Sequence, residues 1–179
     1  MLSPLGIEVI TPGNMGIDFY VEETGNTFQE NARLKSEALF SKSGIPCLAD
    51  DSGICVDYLN GEPGVFSARY GKPELDDKGR ALFLLENMKG VKSRTAYYQC
   101  CLSYTTSTQT YFIEEKCHGF ISDFYDEDGK FGFGYDPIFI SSDLNILFSR
   151  VSPEIKNNVS HRGKALKQFL EGFKMGVFK

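Results

Sequence analysis

The sequence predicts a mixed α/β or α+β fold with some antiparallel pairing, and three stretches carry that expectation. "TFQENARLKSEALFSKSG" (27–44) and "SHRGKALKQFLEGFK" (160–174) have the apolar spacing of helices. Between them, "TAYYQCCLSYTT" and "TQTYFIEEKCHGFI" have the aromatic and β-branched content of two strands joined by a Ser/Thr turn. Helical and strand-like segments are interspersed along 179 residues, the length of one domain or of two lobes sharing a core.

Taken in order, "GIEVI" (6–10) alternates weakly and is expected as a strand. In the first helix Thr27 and Glu30 have the spacing of a capping box. Phe28, Ala32 and Leu39, with Leu34 and Ala38, make an apolar side, and Gly44 is a stop. "IPCLA" (45–49) is expected as a short buried strand and "ICVDYL" (54–59) as a second extended segment, with a turn at the intervening "DDSG". "GEPGVFSARYG" (61–71) is loop-like, and "PELDDKGRALFLLENM" (73–88) is expected as a helix on Leu75, Leu82, Leu85 and Met88. "DEDGK" (126–130) is a turn, and "FGFGYDPIFI" (131–140) runs from a Gly-rich loop into a strand. The last helix is capped by Ser160 and keeps Leu166, Phe169, Leu170 and Phe173 on one face. No repeat, linker or low-complexity tract divides the chain, so a single domain over 1–179 is expected.

Composition excludes several classes. A net charge of −5 disfavours non-specific binding to nucleic acid or to an anionic membrane. No apolar run approaches the ~20 residues of a membrane span, and "MLSPLGIEVI" lacks the basic and apolar regions of a signal peptide. The five cysteines (Cys47, Cys55, Cys100, Cys101 and Cys117) show no C-x-x-C spacing and sit inside strand-like runs. They are expected as buried thiols in a reducing, cytoplasmic setting.

Four stretches can carry chemistry. Asp50 and Asp51 either shape a turn through their side chains or hold a divalent cation, since Mg²⁺ takes one or two carboxylates plus water and phosphate oxygens. Neighbouring side chains of an extended segment point to opposite faces, so one of the two should dominate. Glu22 and Glu23, ahead of a helix start, either favour its dipole or share such an ion. "GFGYDPIF" (132–139) places Phe133 and Tyr135 between glycines, as a platform for a flat base or as a plug for the core. In "KNNVSHRGKAL" (156–166), His161, Arg162 and Lys164 crowd a capped helix start, with Lys156 just upstream. Basic residues there oppose the helix dipole, and a ligand anion would justify that cost.

The stretches "ETGNTFQENARLKS", "ADDSGICVDYLNGEPGVFSARY", "GFGYDPIF" and "VSHRGKAL", in this order, resemble the Ham1-type pyrophosphatases of inosine and xanthosine triphosphates, over about residues 2–173. The resemblance implies an elongated α/β fold, with a long mixed twisted sheet, flanking helices, and two lobes around a nucleotide cleft. It further implies Mg²⁺-dependent hydrolysis of ITP, dITP and XTP to the monophosphate and pyrophosphate by a homodimer. By position, Asp51 matches the catalytic, metal-binding aspartate and Glu23 the metal-binding glutamate, with Glu22 as its substitute. Ser52 matches a substrate contact. Phe133, Gly134, Tyr135 and Asp136 match the base-binding loop, and Lys156, His161 and Arg162 the residues that clasp the base. The family opens with a strand and a phosphate-cradling T-x-N-x-x-K loop that no stretch here matches, so the chain is expected to start downstream of it. A non-catalytic nucleotide-binding protein is therefore one alternative, and a hydrolase of modified pyrimidine nucleotides is another.

Overall fold

A computed structural model describes residues 7–178. Their elements run α1 (Phe28–Ser43), β1 (Cys47–Val56), α2 (Asp77–Asn87), β2 (Thr95–Thr105), β3 (Thr110–Ile121), β4 (Phe139–Ser141), β5 (Ile146–Leu147), α3 (Pro153–Val159) and α4 (His161–Lys174). Helices flank a five-stranded antiparallel sheet of order β1-β2-β3-β4-β5. The chain forms two compact units: residues 7–51, 101–114 and 165–178 make the first, and 52–100 and 115–164 the second. None of the described helices is long and apolar enough to cross a membrane.

In the first unit, α1 starts where the sequence predicts. The Glu30 amide donates to Thr27 Oγ1 at 3.1 Å, and the Thr27 amide donates to Glu30 Oε2 at 3.1 Å. The helix ends on Gly44 at φ 69°, a left-handed cap that glycine adopts without strain. Its buried face carries Phe28, Asn31, Ala32 and Ser36. Ser36 Oγ lies 2.7 Å from Ser103 Oγ and 2.8 Å from Thr105 Oγ1, so polar residues of the helix and of β2 satisfy one another out of water. Tyr104 meets Phe169 edge-on with ring centres 5.1 Å apart, and Phe178 stacks on Phe169 at 5.0 Å.

The second unit is built on Ile54, Val56, Leu84, Met88, Ile121, Ile138, Phe139 and Phe148, all but inaccessible to solvent. The β3–β4 pairing sets Gly119 opposite Ser141, and a Cβ at 119 would lie 2.2 Å from the Ile140 carbonyl. Only glycine permits that approach.

Three expectations need correction, and one helix was not foreseen. Residues 7–10 form no strand, and β1, the outermost strand of the described sheet, offers them no pairing; Gly6 lies outside the described residues. The "DDSG" stretch is not a turn: β1 runs unbroken from Cys47 to Val56 and leaves the sheet through a 3₁₀ turn at Asp57–Leu59. The helix expected over 73–88 begins only at Asp77, because the Asp76 carboxylate accepts from the Gly79 amide at 2.7 Å and caps it there. A separate helix, α3, precedes α4, with Pro153 at its first turn. All five cysteines are buried free thiols, and burial pushes Cys101 up to about 12.

Candidate functional site

Two groups of side chains have chemical potential, one in each unit. In the first unit, the unbroken β1 decides between the adjacent aspartates. Extended backbone sends their side chains to opposite faces; Asp51 is buried at 9% exposure, and Asp50 is less so. Asp51 Oδ1 accepts from Lys35 Nζ at 2.9 Å, and Oδ2 accepts from Asn31 Nδ2 at 3.3 Å. The same ammonium donates to Glu23 Oε1 at 2.9 Å, while Glu22 is exposed. Asn31 and Lys35 lie four apart on α1 and so share a face. Asn31 Oδ1 also accepts from the Gly25 amide at 2.8 Å, which ties the Glu23 segment to the helix. A Cβ on Gly25 would lie 2.6 Å from Glu30 Cβ and 2.7 Å from Asn31 Oδ1, so this approach requires glycine.

The electrostatics follow from burial. Desolvation raises the Asp51 pKa against the opposing pull of Lys35, with Glu23 adding to the rise. For Lys35 desolvation works downward, but its bonds to Glu23 and Asp51 outweigh it and raise the pKa. The ammonium therefore stays charged between the two carboxylates. Among the described residues, no three His, Cys, Asp or Glu side chains converge as metal ligands. Two hard carboxylates around one positive charge nevertheless suit Mg²⁺, whose remaining ligands are water and phosphate oxygens.

In the second unit, two cavities share Phe133, His161 and Arg162. One, of about 210 Å³, is completed by Gly132, Val151, Pro153, Lys156, Asn157 and Ser160. The other, of about 170 Å³, is completed by Ser52, Gly53, Ile54, Ser67, Ala68, Asp77, Arg80, Tyr98, Gly134 and Tyr135. The two aromatics of the Gly-rich loop divide the roles left open by the sequence. Phe133 is 64% exposed, with Lys156 Nζ 4.8 Å and Arg162 Cζ 5.8 Å from its ring centre, and can stack on a flat base. Tyr135 is buried, and its hydroxyl donates to the Ser67 carbonyl at 2.8 Å.

Asp136 organises this loop. Its Oδ2 accepts from the Phe133 amide at 2.9 Å and from Lys156 Nζ, and Oδ1 accepts from the Tyr98 hydroxyl at 3.4 Å. Tyr98 stacks on the buried His161 ring at 4.8 Å and 6°. Gly132 sits at φ +83° with its α-carbon against the Asp136 carboxylate, and a Cβ there would fall 2.4 Å from Oδ2. Gly134, at φ +58°, donates its amide to Asp77 Oδ2 at 3.2 Å.

The basic cluster around 156–164 is divided by the junction of two helices. Lys156 belongs to α3, whereas His161 and Arg162 open α4, capped by Ser160 Oγ accepting from the Gly163 amide at 3.2 Å. A Cβ on Gly163 would lie 1.8 Å from the Asn157 carbonyl, so the tight junction depends on that glycine. Lys164 turns away to Asp143 at 3.1 Å.

Thus Glu23 and Asp51 meet in the first unit, while Ser52, Phe133–Asp136, Lys156, His161 and Arg162 converge in the second. Sequence reasoning missed Lys35 and Asn31, although two polar residues four apart on a helix's inner face were a signal. It also missed Tyr98, Asp77 and Arg80, for which composition and spacing held none.

The chain is similar to known proteins over nearly its whole length. The Ham1 family model matches residues 1–172. A dITP/XTP pyrophosphatase of Leptospira interrogans is 51% identical over 174 residues, covering 97% of this chain and 88% of its own length. A dITP/XTP pyrophosphatase of Bacillus subtilis is 38% identical, over 94% of this chain and 85% of its own. Among solved structures, the Staphylococcus aureus Ham1 protein superposes with a TM-score of 0.83 at 38% identity, covering 92% of this chain and 84% of its own. The chain belongs to the Ham1 family.

Proposed function

We propose that this protein hydrolyses non-canonical purine nucleoside triphosphates (dITP, ITP and XTP) to the monophosphate and pyrophosphate. The observation that carries this is the Lys35 ammonium seated between Glu23 and Asp51, in a chain half identical to a dITP/XTP pyrophosphatase. Glu23 and Asp51 would hold Mg²⁺, which would offset negative charge developing on the phosphate oxygens. Asp51 takes a proton from the water that attacks the α-phosphorus. The bond from that phosphorus to the bridging oxygen breaks, and pyrophosphate leaves with the electron pair. Burial makes Asp51 a stronger base than an exposed aspartate. Lys35 keeps both carboxylates aligned and can donate to phosphate oxygens.

Base recognition is assigned to the second unit. Phe133 stacks on the purine, and Ser52 and Gly134 line its cavity. Tyr135 and Asp136 fix the loop, while Lys156, His161 and Arg162 present donors to the 6-oxo edge. An adenine amino group would leave those donors unpaired, which is costly out of water. We further assign the chain to a single catalytic domain acting as a cytoplasmic homodimer.

Incubation with dITP and Mg²⁺, followed by ³¹P NMR, tests the reaction. Stoichiometric dIMP and pyrophosphate are expected; orthophosphate, or no product, would overturn it. Arg162→Ala is expected to raise KM for dITP about tenfold or more and to blur the choice between dITP and dATP. Unchanged selectivity in steady-state kinetics would remove Arg162 from base recognition.

A further inference from the structure

A buried polar cluster in the second unit takes no part in the chemistry above. The Asp126 carboxylate is 1% exposed and accepts from Arg150 Nη2 at 2.7 Å, from Arg150 Nε at 2.9 Å and from Ser149 Oγ at 2.6 Å. The two Arg150 bonds make a bidentate pair, the most geometrically restrictive arrangement of these groups. Beside it, the Lys130 and Phe131 amides both donate to the Ser149 carbonyl at 3.0 Å. The Asp126 amide donates to the Pro137 carbonyl at 3.0 Å, and a Cβ on Gly129 would meet Ser149 Cβ at 2.5 Å. Residues 126–131 are therefore fastened along their length to the 3₁₀ turn Phe148–Arg150.

What each partner leads to gives this cluster its meaning. Downstream of the 126–131 arm come Gly132 and Phe133, which form one side of the 210 Å³ cavity. Downstream of the Phe148–Arg150 turn come Lys156, His161 and Arg162, which form the other. Arg150 lines neither cavity that contains Arg162, and its half-exposed guanidinium faces a buried carboxylate that it holds down at about 2. Resting on the function proposed above, we infer that Asp126, Ser149 and Arg150 are positioning residues: they set the spacing between Phe133 and the Lys156–Arg162 side of the pocket, and thereby the choice of purine base.

The inference depends on where the pocket's polar groups sit. Hypoxanthine, xanthine and guanine share the 6-oxo edge and differ only at the 2-position, where xanthine carries an oxo and guanine an amino group, so a pocket that excludes guanine must place its hydrogen-bonding groups to within about half an ångström. Loosening the cluster should relax that exclusion without touching the phosphates.

The test uses the full chain with Arg150→Ala, Arg150→Lys and Ser149→Ala. Amide hydrogen exchange across 127–133 and steady-state kinetics with dITP and dGTP are measured on each. Arg150→Ala is expected to speed exchange at Lys130 and Phe131 and to raise KM for dITP about tenfold. It should leave kcat within about twofold and lower the dITP-to-dGTP preference about fivefold, since misplaced binding groups cost orientation rather than chemistry. Arg150→Lys, with a charge but no planar fork, should recover only part of the preference.

Faster exchange with unchanged base preference would make the cluster a structural brace only, and unchanged exchange would overturn the inference outright. If Arg150→Ala does not fold, Arg150→Lys and Ser149→Ala decide by the same readings. A wild-type chain inactive on dITP would instead sink the functional reading, and the claim on base choice with it, while the exchange data would still judge the fastening.

Discussion

Asp51→Asn is expected to lower kcat for dITP about 10³-fold, the scale of losing a general base, with little change in the fold. Asparagine keeps the size of the side chain and an oxygen for Lys35, which also retains its 2.9 Å bond to Glu23. What disappears is the proton acceptor and one anionic oxygen ligand. Because folding raises the Asp51 pKa, its folded form binds protons more readily than its unfolded form. Stability contributed at this position is therefore greatest at low pH and declines as pH rises through the folded pKa. Removing the charge should leave the neutral-pH Tm unchanged or slightly higher, as expected of a residue kept for chemistry. Mn²⁺ titration followed by electron paramagnetic resonance should show weaker binding in the variant. Asp50→Asn, altering the opposite face of β1, should stay near wild type in every reading. Turnover by Asp51→Asn at the wild-type rate would refute the assigned role.

The same strand shows where the sequence was legible. Aspartate, serine and glycine commonly punctuate a chain, so "DDSG" looked like a turn; the sheet overrides that local preference and carries β1 straight through. The alternation rule survived the error, because extended backbone of either origin exposes one aspartate to the cluster and turns the other away. Helix ends set by side-chain caps, such as Thr27 with Glu30, were readable because the signal is local. The helix α3 was missed because its seven residues show no apolar period; its Ser152-Pro153 start was the available clue. Lys35 and Asp51 are 16 positions apart, and their pairing is a tertiary fact that no spacing rule reports. Family resemblance supplied Asp51 and Glu23 but not the lysine between them.

Removal of the Asp136 carboxylate is expected to be the most damaging change in the second unit. Asp136→Ala leaves the Lys156 ammonium, only 14% exposed, without its anion, and deprives the Phe133 amide and the Tyr98 hydroxyl of their acceptor. Breaking a buried pair by deleting one partner costs about 3–5 kcal/mol, because a desolvated charge remains. For a chain of this size that corresponds to a fall in Tm of about 10 °C. Lys156→Met should cost a similar amount by stranding the carboxylate. The double variant Asp136→Ala with Lys156→Met strands neither charge, and denaturant unfolding should find it less destabilised than the sum of the single changes by about 2 kcal/mol. Both single variants should also raise KM for dITP, since Phe133 loses its anchored amide in one and its neighbouring cation in the other. Strict additivity would mean that the pair contributes nothing as a pair. The loop would then be held by the Tyr135 hydroxyl on Ser67 and the Gly134 amide on Asp77, and the base platform would tolerate the loss of the charge at its centre.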